Sequence, residues 1–530
     1  MKQYLNLRIP VALVCAGLMT AWGPVALGQT ALELAQQWQT QEAALALDTA
    51  RLEGESGFAL DFAELLIHYH RGDYARAQTV LDRADRPERF APYDELVPEA
   101  IRQRTNVVEH RSAHFIVRVR PGLDEVLTSY VLETLELAYE TIGDVLDYHP
   151  TEPALVEIFP DRQSFTRLST LSWDQVSRSG TIALCKWDHM LVISPRATRF
   201  GYDWRDTLVH EYVHLVVARR SKNQAPVWFH EGLAAFLEGR WRGEPGGTLE
   251  PSGEALLARA IRNDDLIPLS VIDRDSMPGL PDAASVSLAF AEVTTAIMHL
   301  VDRKGLEVLP QLLDDMAAQR GIKNAIAAAY GSSFENWEAD WKSWVARLPL
   351  HSRVDLAAFG IEFGDIANDD GAAGTDAVLE KDTQAQKLVR LGDLLMERQR
   401  VDAAIVEYER ARKNLALHSP AVANRHSEAL LSVNRAKEAR VVMEESVDAV
   451  PGYGPSWVRL ARTYDELGMR KEALRAWERA RDINPFHPLV HQRLIELLSD
   501  GPQRQASIFA VDQIAGRFGH EEDLQRPGEK

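Results

Sequence analysis

Positions 210 to 214 read His210-Glu211-Tyr212-Val213-His214. On a helix, residues four apart share one face, with Cβ atoms about 5–6 Å apart. His210 and His214 can therefore both reach one metal ion. Glu211 is turned about 100° from His210, so it flanks such an ion instead of ligating it. From there it can take a proton from a metal-activated water and pass it on to a leaving amine. Seventeen residues beyond His214, a second carboxylate, Glu231, stands in Trp228-Phe229-His230-Glu231-Gly232-Leu233-Ala234. Two imidazoles and two carboxylates are the inventory of a catalytic Zn2+ site with one position left for water. Zinc lowers the pKa of such a water to about 7 and polarises a carbonyl.

These side chains need elements that face them together. Leu208, Val209, Val213, Leu215 and Val216 make Asp206 to Arg220 a buried helix. A buried helix needs a reason to hold two His and a Glu, since an unpartnered buried charge is costly. The polar loop Ser221 to Pro226 ends in a proline suited to a first turn, and a second helix is expected from Val227 to Leu237. Ahead of them, four strands are expected: His114 to Val119, Ala154 to Phe159, Thr181 to Leu184 and Met190 to Ile193. The last two form a hairpin turning around Asp188, and a helix from Glu125 to Leu146 lies between the first two. Later helices are expected at Ser285 to Lys304, Leu306 to Gln319 and Phe334 to Leu348. Strands first and helices second predict an α+β fold.

At 530 residues the chain needs two to four domains. Its net charge is −19, from 59 basic and 78 acidic side chains. Such an acidic chain is a poor match for nucleic acid or an anionic membrane. Residues 1–28 read as a secretory signal. Lys2 and Arg8 charge its start, Ile9 to Trp22 is an apolar core, and Ala26-Leu27-Gly28 offers the small residues a signal peptidase needs. Cleavage leaves Gln29 as the mature start and a charge of about −21, and places the protein in the periplasm or outside the cell. Cys15 follows Leu13-Val14 in mid-core, which argues against lipidation. No other window has 18 uninterrupted apolar residues, so no stable membrane insertion is expected after cleavage. Cys185 then has no partner for an internal disulfide and reads as a small buried hydrophobe. His68 and His70, two apart on an expected helix, point in opposite directions and do not make a metal pair.

Residues 29–108 read as an N-terminal helical segment, 109–350 as the α+β domain, 351–384 as a linker and 519–530 as a disordered tail. Residues 385–518 carry an internal repeat. Trp457, Leu460, Ala461 and Tyr464, followed by Ala473, Trp477, Ala480 and Pro485, fill the tetratricopeptide pattern. Ala439, Met443 and Pro451 stand one period earlier, and Leu391, Gly392, Ala404, Tyr408 and Ala411 a further period back. Three repeats with capping helices make an all-α solenoid, and such grooves usually bind extended peptides or helices.

The order of strand, hairpin, HExxH helix and W-x-x-E-G-L-A resembles the gluzincin metallopeptidases, in particular the group called peptidase-MA-like, over residues 109 to 350. The resemblance implies a zincin-like fold, peptide-bond hydrolysis and Zn2+. It makes Glu231 the third ligand beside His210 and His214, on a helix packed against the first, with Gly232 letting the two backbones approach closely. His230 is the competing ligand, about 100° away on the same helix, and the family pattern favours Glu231. Two departures stand out. Thermolysin-like sites have an Asp four residues after the ligand Glu; here that position is Ala235. Relatives often place a Tyr before the helix that starts near Ser285; here Ser285, Ser287 and Phe290 occupy the region. Tyr330 is the remaining oxyanion candidate, although a packing role suits it better.

The expected whole is an exported zinc metallopeptidase with Glu211 as general base, acting on protein or peptide substrates and engaging a protein partner through its repeats. The alternatives are a peptidase-like binding scaffold without turnover, and a zinc amidase acting on cell wall. The hairpin strand Thr181 to Leu184 is a candidate edge for an extended substrate.

Overall fold

The computed structural model describes residues 27–83, 90–169, 171–186, 188–351, 356, 361–364 and 376–518. All but the end of the expected secretory signal, most of the expected linker and the whole expected tail lie outside these residues.

Five strands form one mixed sheet in the order β1-β2-β3-β5-β4. β1 is Val108–Arg111, β2 Phe115–Val119, β3 Ala154–Phe159, β4 Ala183–Lys186 and β5 His189–Ile193. β2, β3 and β5 are parallel, while β1 and β4 are antiparallel at the two edges. β3 falls at the expected Ala154 to Phe159. β4 is displaced from the expected Thr181 to Leu184 by two residues towards the turn, although the Ile182 carbonyl still accepts from Ile193 N–H at 2.8 Å. β1 was not expected. Its Val-Glu-His-Arg sequence has one apolar residue, and its pairing with β2 supplies what propensity does not.

Both faces of the sheet are covered. Val156, Ile158, Met190 and Val192 point into the core shared with the HExxH helix. Their alternates Phe159, Leu191 and Ile193 point into a second core built by N-terminal helices, among them Leu27–Gln36, Thr40–Leu52 and Phe58–His70. His68 and His70 go to separate partners: His68 pairs with Glu64, and the His70 carbonyl accepts from the His189 ring.

The HExxH helix spans Trp204–Arg220, with Asp206 in its first turn and Arg219 and Arg220 in its last, as the helix dipole favours. Leu208, Val209, Tyr212, Val213, Leu215, Val216 and Val217 are fully enclosed. At its C-terminal end Arg219 donates two 2.7 Å hydrogen bonds to Asp188, which turns the β4–β5 hairpin at a φ of +64°. The edge strand is thereby clamped to the helix.

The next helix, Val227–Leu237, lies against the HExxH helix and also against Ala283–Lys304. The close approach at Gly232 is made to this third helix, not to the HExxH helix: a Cβ here would sit 2.5 Å from the Val293 carbonyl oxygen. Ala283–Lys304 is long and apolar enough to cross a membrane by length and composition, but most of it is buried in this core.

The C-terminal segment is all helical. Its hairpins are Thr383–Glu397 with Val401–Asn414, Pro420–Ser432 with Ala436–Ala449, and Gly454–Glu466 with Arg470–Ile483, followed by Pro488–Leu497 and Pro502–Phe518. Ala404, Tyr408, Ala411, Ala439, Met443, Ala473, Trp477 and Ala480 are all buried in their shared core. Gly392 is required there, since a Cβ would lie 2.5 Å from the Tyr408 ring.

Gly232→Ala should destabilise the protein by about 1–3 kcal/mol, because the methyl meets backbone that cannot swing aside. Urea unfolding of the variant beside the parent measures this.

Candidate metal centre

Polar residues from the middle of the buried HExxH helix face a cleft of about 740 Å³ lined by His210, Glu211, His214 and His230 among others. Potential ligand atoms of His210, Glu211 and His214 lie within 4.8 Å of one another. Glu231, on the adjacent helix, brings its Oε2 to 3.4 Å from His210 Nε2 and 3.6 Å from His214 Nε2. The structure thus brings together all four residues that the spacing singled out. His230 lines the cleft with its ring 5.5 Å from that of His214, but it is Glu231 whose carboxylate meets both Nε2 atoms.

One partner was not anticipated. His210 Nδ1 is 2.9 Å from Glu238 Oε2, so a carboxylate orients the ring and directs Nε2 towards Glu231. Glu238 caps the helix seven residues, or two turns, after Glu231, on the same face. That spacing was the available signal. Ala235 lines the cleft but can orient nothing.

The electrostatics call for a cation. Burial pushes the His210 imidazole towards neutrality, but hydrogen bonds to Glu231 and Glu238 outweigh it and hold its pKa well above the usual value. Burial also works against the Glu231 carboxylate, yet the charge on His214 and hydrogen bonds from both imidazoles leave its pKa well below the carboxylate range. Burial raises the carboxyls of Glu211 and Glu238. Glu211 accepts a hydrogen bond from the Cys185 backbone on β4, while its Oε2 is buried with no partner. Three carboxylates around two imidazoles, one oxygen of them orphaned, fit a divalent metal held by His210, His214 and Glu231. The nitrogen and carboxylate donors suit zinc.

Other positions are also settled. Cys185 is half-buried: it packs against the core as a small hydrophobe and also lines the cleft, and burial holds its thiol pKa well above the usual value. Phe290 turns an edge to His210, with ring centroids 5.9 Å apart. Tyr330 hydrogen-bonds to Asp340 beside His299 and is not among the residues lining the cleft. Tyr202 does line it, but its hydroxyl donates to the Ile193 carbonyl.

Residues 152–347 match the Peptidase MA superfamily. The match spans His210, Glu211, His214, Glu231 and Glu238, and with the geometry it marks this region as metallopeptidase-like. No curated protein matches the chain. Among solved structures, native yeast LTA4 hydrolase is similar at 12% identity and a TM-score of 0.30, over 77% of this chain and 67% of that one. The Sgt2 TPR domain from Aspergillus fumigatus is similar at 18% identity and a TM-score of 0.20, over 28% of this chain and 89% of that one.

Removing the orienting carboxylate should loosen the metal without unfolding the protein. Glu238→Ala is expected to weaken zinc affinity about 10–100-fold. Chelator-competition titration measures the loss, and circular dichroism checks the fold.

Proposed function

We propose that the chain is an exported zinc metallopeptidase of the gluzincin type, with His210, His214 and Glu231 as ligands and Glu211 as general base. The observation that carries this reading is the meeting of both imidazole Nε2 atoms with Glu231, beside the orphaned Oε2 of Glu211, in an open cleft. A bound zinc ion would supply a Lewis acid for the scissile carbonyl and acidify the attacking water.

The protein's own groups do the rest. Glu211 takes the proton from the attacking water and returns it to the leaving amine as the C–N bond breaks. The Cys185 N–H holds the Glu211 carboxylate in place. β4 is an edge strand and Thr181 to Cys185 line the cleft, so an extended peptide can add to it as a further strand. Export rests on the charged and apolar pattern of residues 1–28. The C-terminal hairpins read as tetratricopeptide repeats that engage a protein partner or substrate.

A second reading is a metal-binding scaffold without turnover. It is favoured by the apolar Phe290 against His210 and by the engaged hydroxyl of Tyr202, which leave no assigned oxyanion donor. Glu211→Gln separates the two. In a peptidase, cleavage of unfolded protein and peptide substrates falls by about 10²–10⁴-fold while zinc stays bound. A wild-type protein that binds one zinc per chain and cleaves no substrate supports the scaffold.

A further inference from the structure

The C-terminal hairpins do not hang from the metallopeptidase-like region by a tether. They are fastened to the segment that leads into the HExxH helix. Tyr202 N–H donates to the Ile483 carbonyl at 3.2 Å. Arg205, almost fully buried, lies 3.3 Å from Asp482, and Asp203 is ion-paired with Arg479. Two glycines mark how near the backbones run. A Cβ on Gly201 would lie 2.2 Å from the Ile483 carbonyl oxygen, and one on Gly454 would lie 2.7 Å from that of Phe200. Phe486 and Ala510 even join the core to which the HExxH helix belongs.

This docking carries one turn of the hairpin array into the cleft. Ala449 to Tyr453, between Ala436–Ala449 and Gly454–Glu466, line the same space as His210, Glu211 and Glu231. Ala449, Val450 and Tyr453 are buried in a small cluster with Phe200, and the Phe200 and Tyr453 rings are 4.6 Å apart. Pro451 and Gly452 remain half-exposed. A side chain at Gly452 has room: the nearest atom to a Cβ there is Asp203 Oδ2 at 3.8 Å, an ordinary contact.

Building on the peptidase reading above, we propose that the turn at 450–453 is a wall of the substrate cleft and that Gly452 sets its width. In this arrangement the hairpin array is part of the substrate-recognition surface, and Arg479 and Asp482 are positioning residues that hold the wall against the HExxH helix. The small residue at 452 admits a bulky substrate side chain, and an enlarged residue there excludes it. Pro451 and Phe200 on one side and the Asp203 carboxylate on the other border this subsite.

The test uses the full chain with zinc bound and the variants Gly452→Trp and Arg479→Ala. A peptide library should show Gly452→Trp raising KM about tenfold for substrates with bulky side chains relative to those with small ones, with zinc stoichiometry unchanged. A second readout needs no activity. Cys185 lines the same cleft, and because burial raises its thiol pKa, its slow alkylation by a bulky maleimide is compared with the wild-type rate at one alkaline pH, by mass spectrometry of the peptide that contains it. Labelling should be several-fold slower in Gly452→Trp and several-fold faster in Arg479→Ala, with iodoacetamide little affected in Gly452→Trp. If Arg479→Ala does not fold, Gly452→Trp decides. An unchanged cleavage profile together with unchanged maleimide labelling in Gly452→Trp overturns the wall, even if the wild type is an active peptidase. If the wild type cleaves nothing, the peptidase reading fails, and the labelling rates alone decide whether the turn walls the cleft.

Discussion

Burying a helix that carries two imidazoles and a carboxylate is the constraint from which the rest of this structure follows. A charge taken out of water must be matched by an opposite charge or by hydrogen bonds. Glu231 faces both imidazoles of the HExxH helix, Glu238 takes the far nitrogen of His210, and the Cys185 backbone approaches Glu211. What remains is an excess of acceptors, one of them with no partner, which a divalent cation would satisfy. The same polar groups that would make the helix unstable in an apolar core make it a receptor for metal.

Such a helix must also be held at both ends. Arg219 and Asp188 bind its last turn to the hairpin of the edge strand, so strand and carboxylate keep one spacing. Arg205 and Asp482, with Asp203 and Arg479, bind its first turn to the C-terminal hairpins. The sheet supports its length from one side, and N-terminal helices close the other face of that sheet. Each part of the chain that looks like a separate segment in sequence therefore bears on the one helix.

The local parts of this arrangement were legible in the residues. The i, i+4 histidines with apolar neighbours specified a buried helix and its polar face, and Val227 to Leu237 was bounded by Pro226 before it and its own apolar run. β3 announced itself by a run of apolar residues interrupted only by Glu157. What was not legible depends on partners distant in the chain. β1 exists because β2 pairs with it, and Gly232 serves a helix some sixty residues later, where the motif alone pointed to a nearer one. Glu238 was not singled out, although its two-turn spacing from Glu231 placed it on the right face. Nothing local to Asp203 or Arg479 hints that they meet, since an ion pair between remote residues leaves no periodic trace.

The docking of the last hairpins has a consequence in time. A chain made from its N-terminus acquires His210, Glu211, His214 and Glu231 long before Gly452, Arg479 and Asp482 exist. The proposed ligands His210, His214 and Glu231, with Glu211 beside them, can therefore come together on a nascent chain whose cleft still lacks one side. Enclosure arrives only with the finished polypeptide, and a molecule clipped within its C-terminal hairpins keeps the ligands but loses the chamber around them.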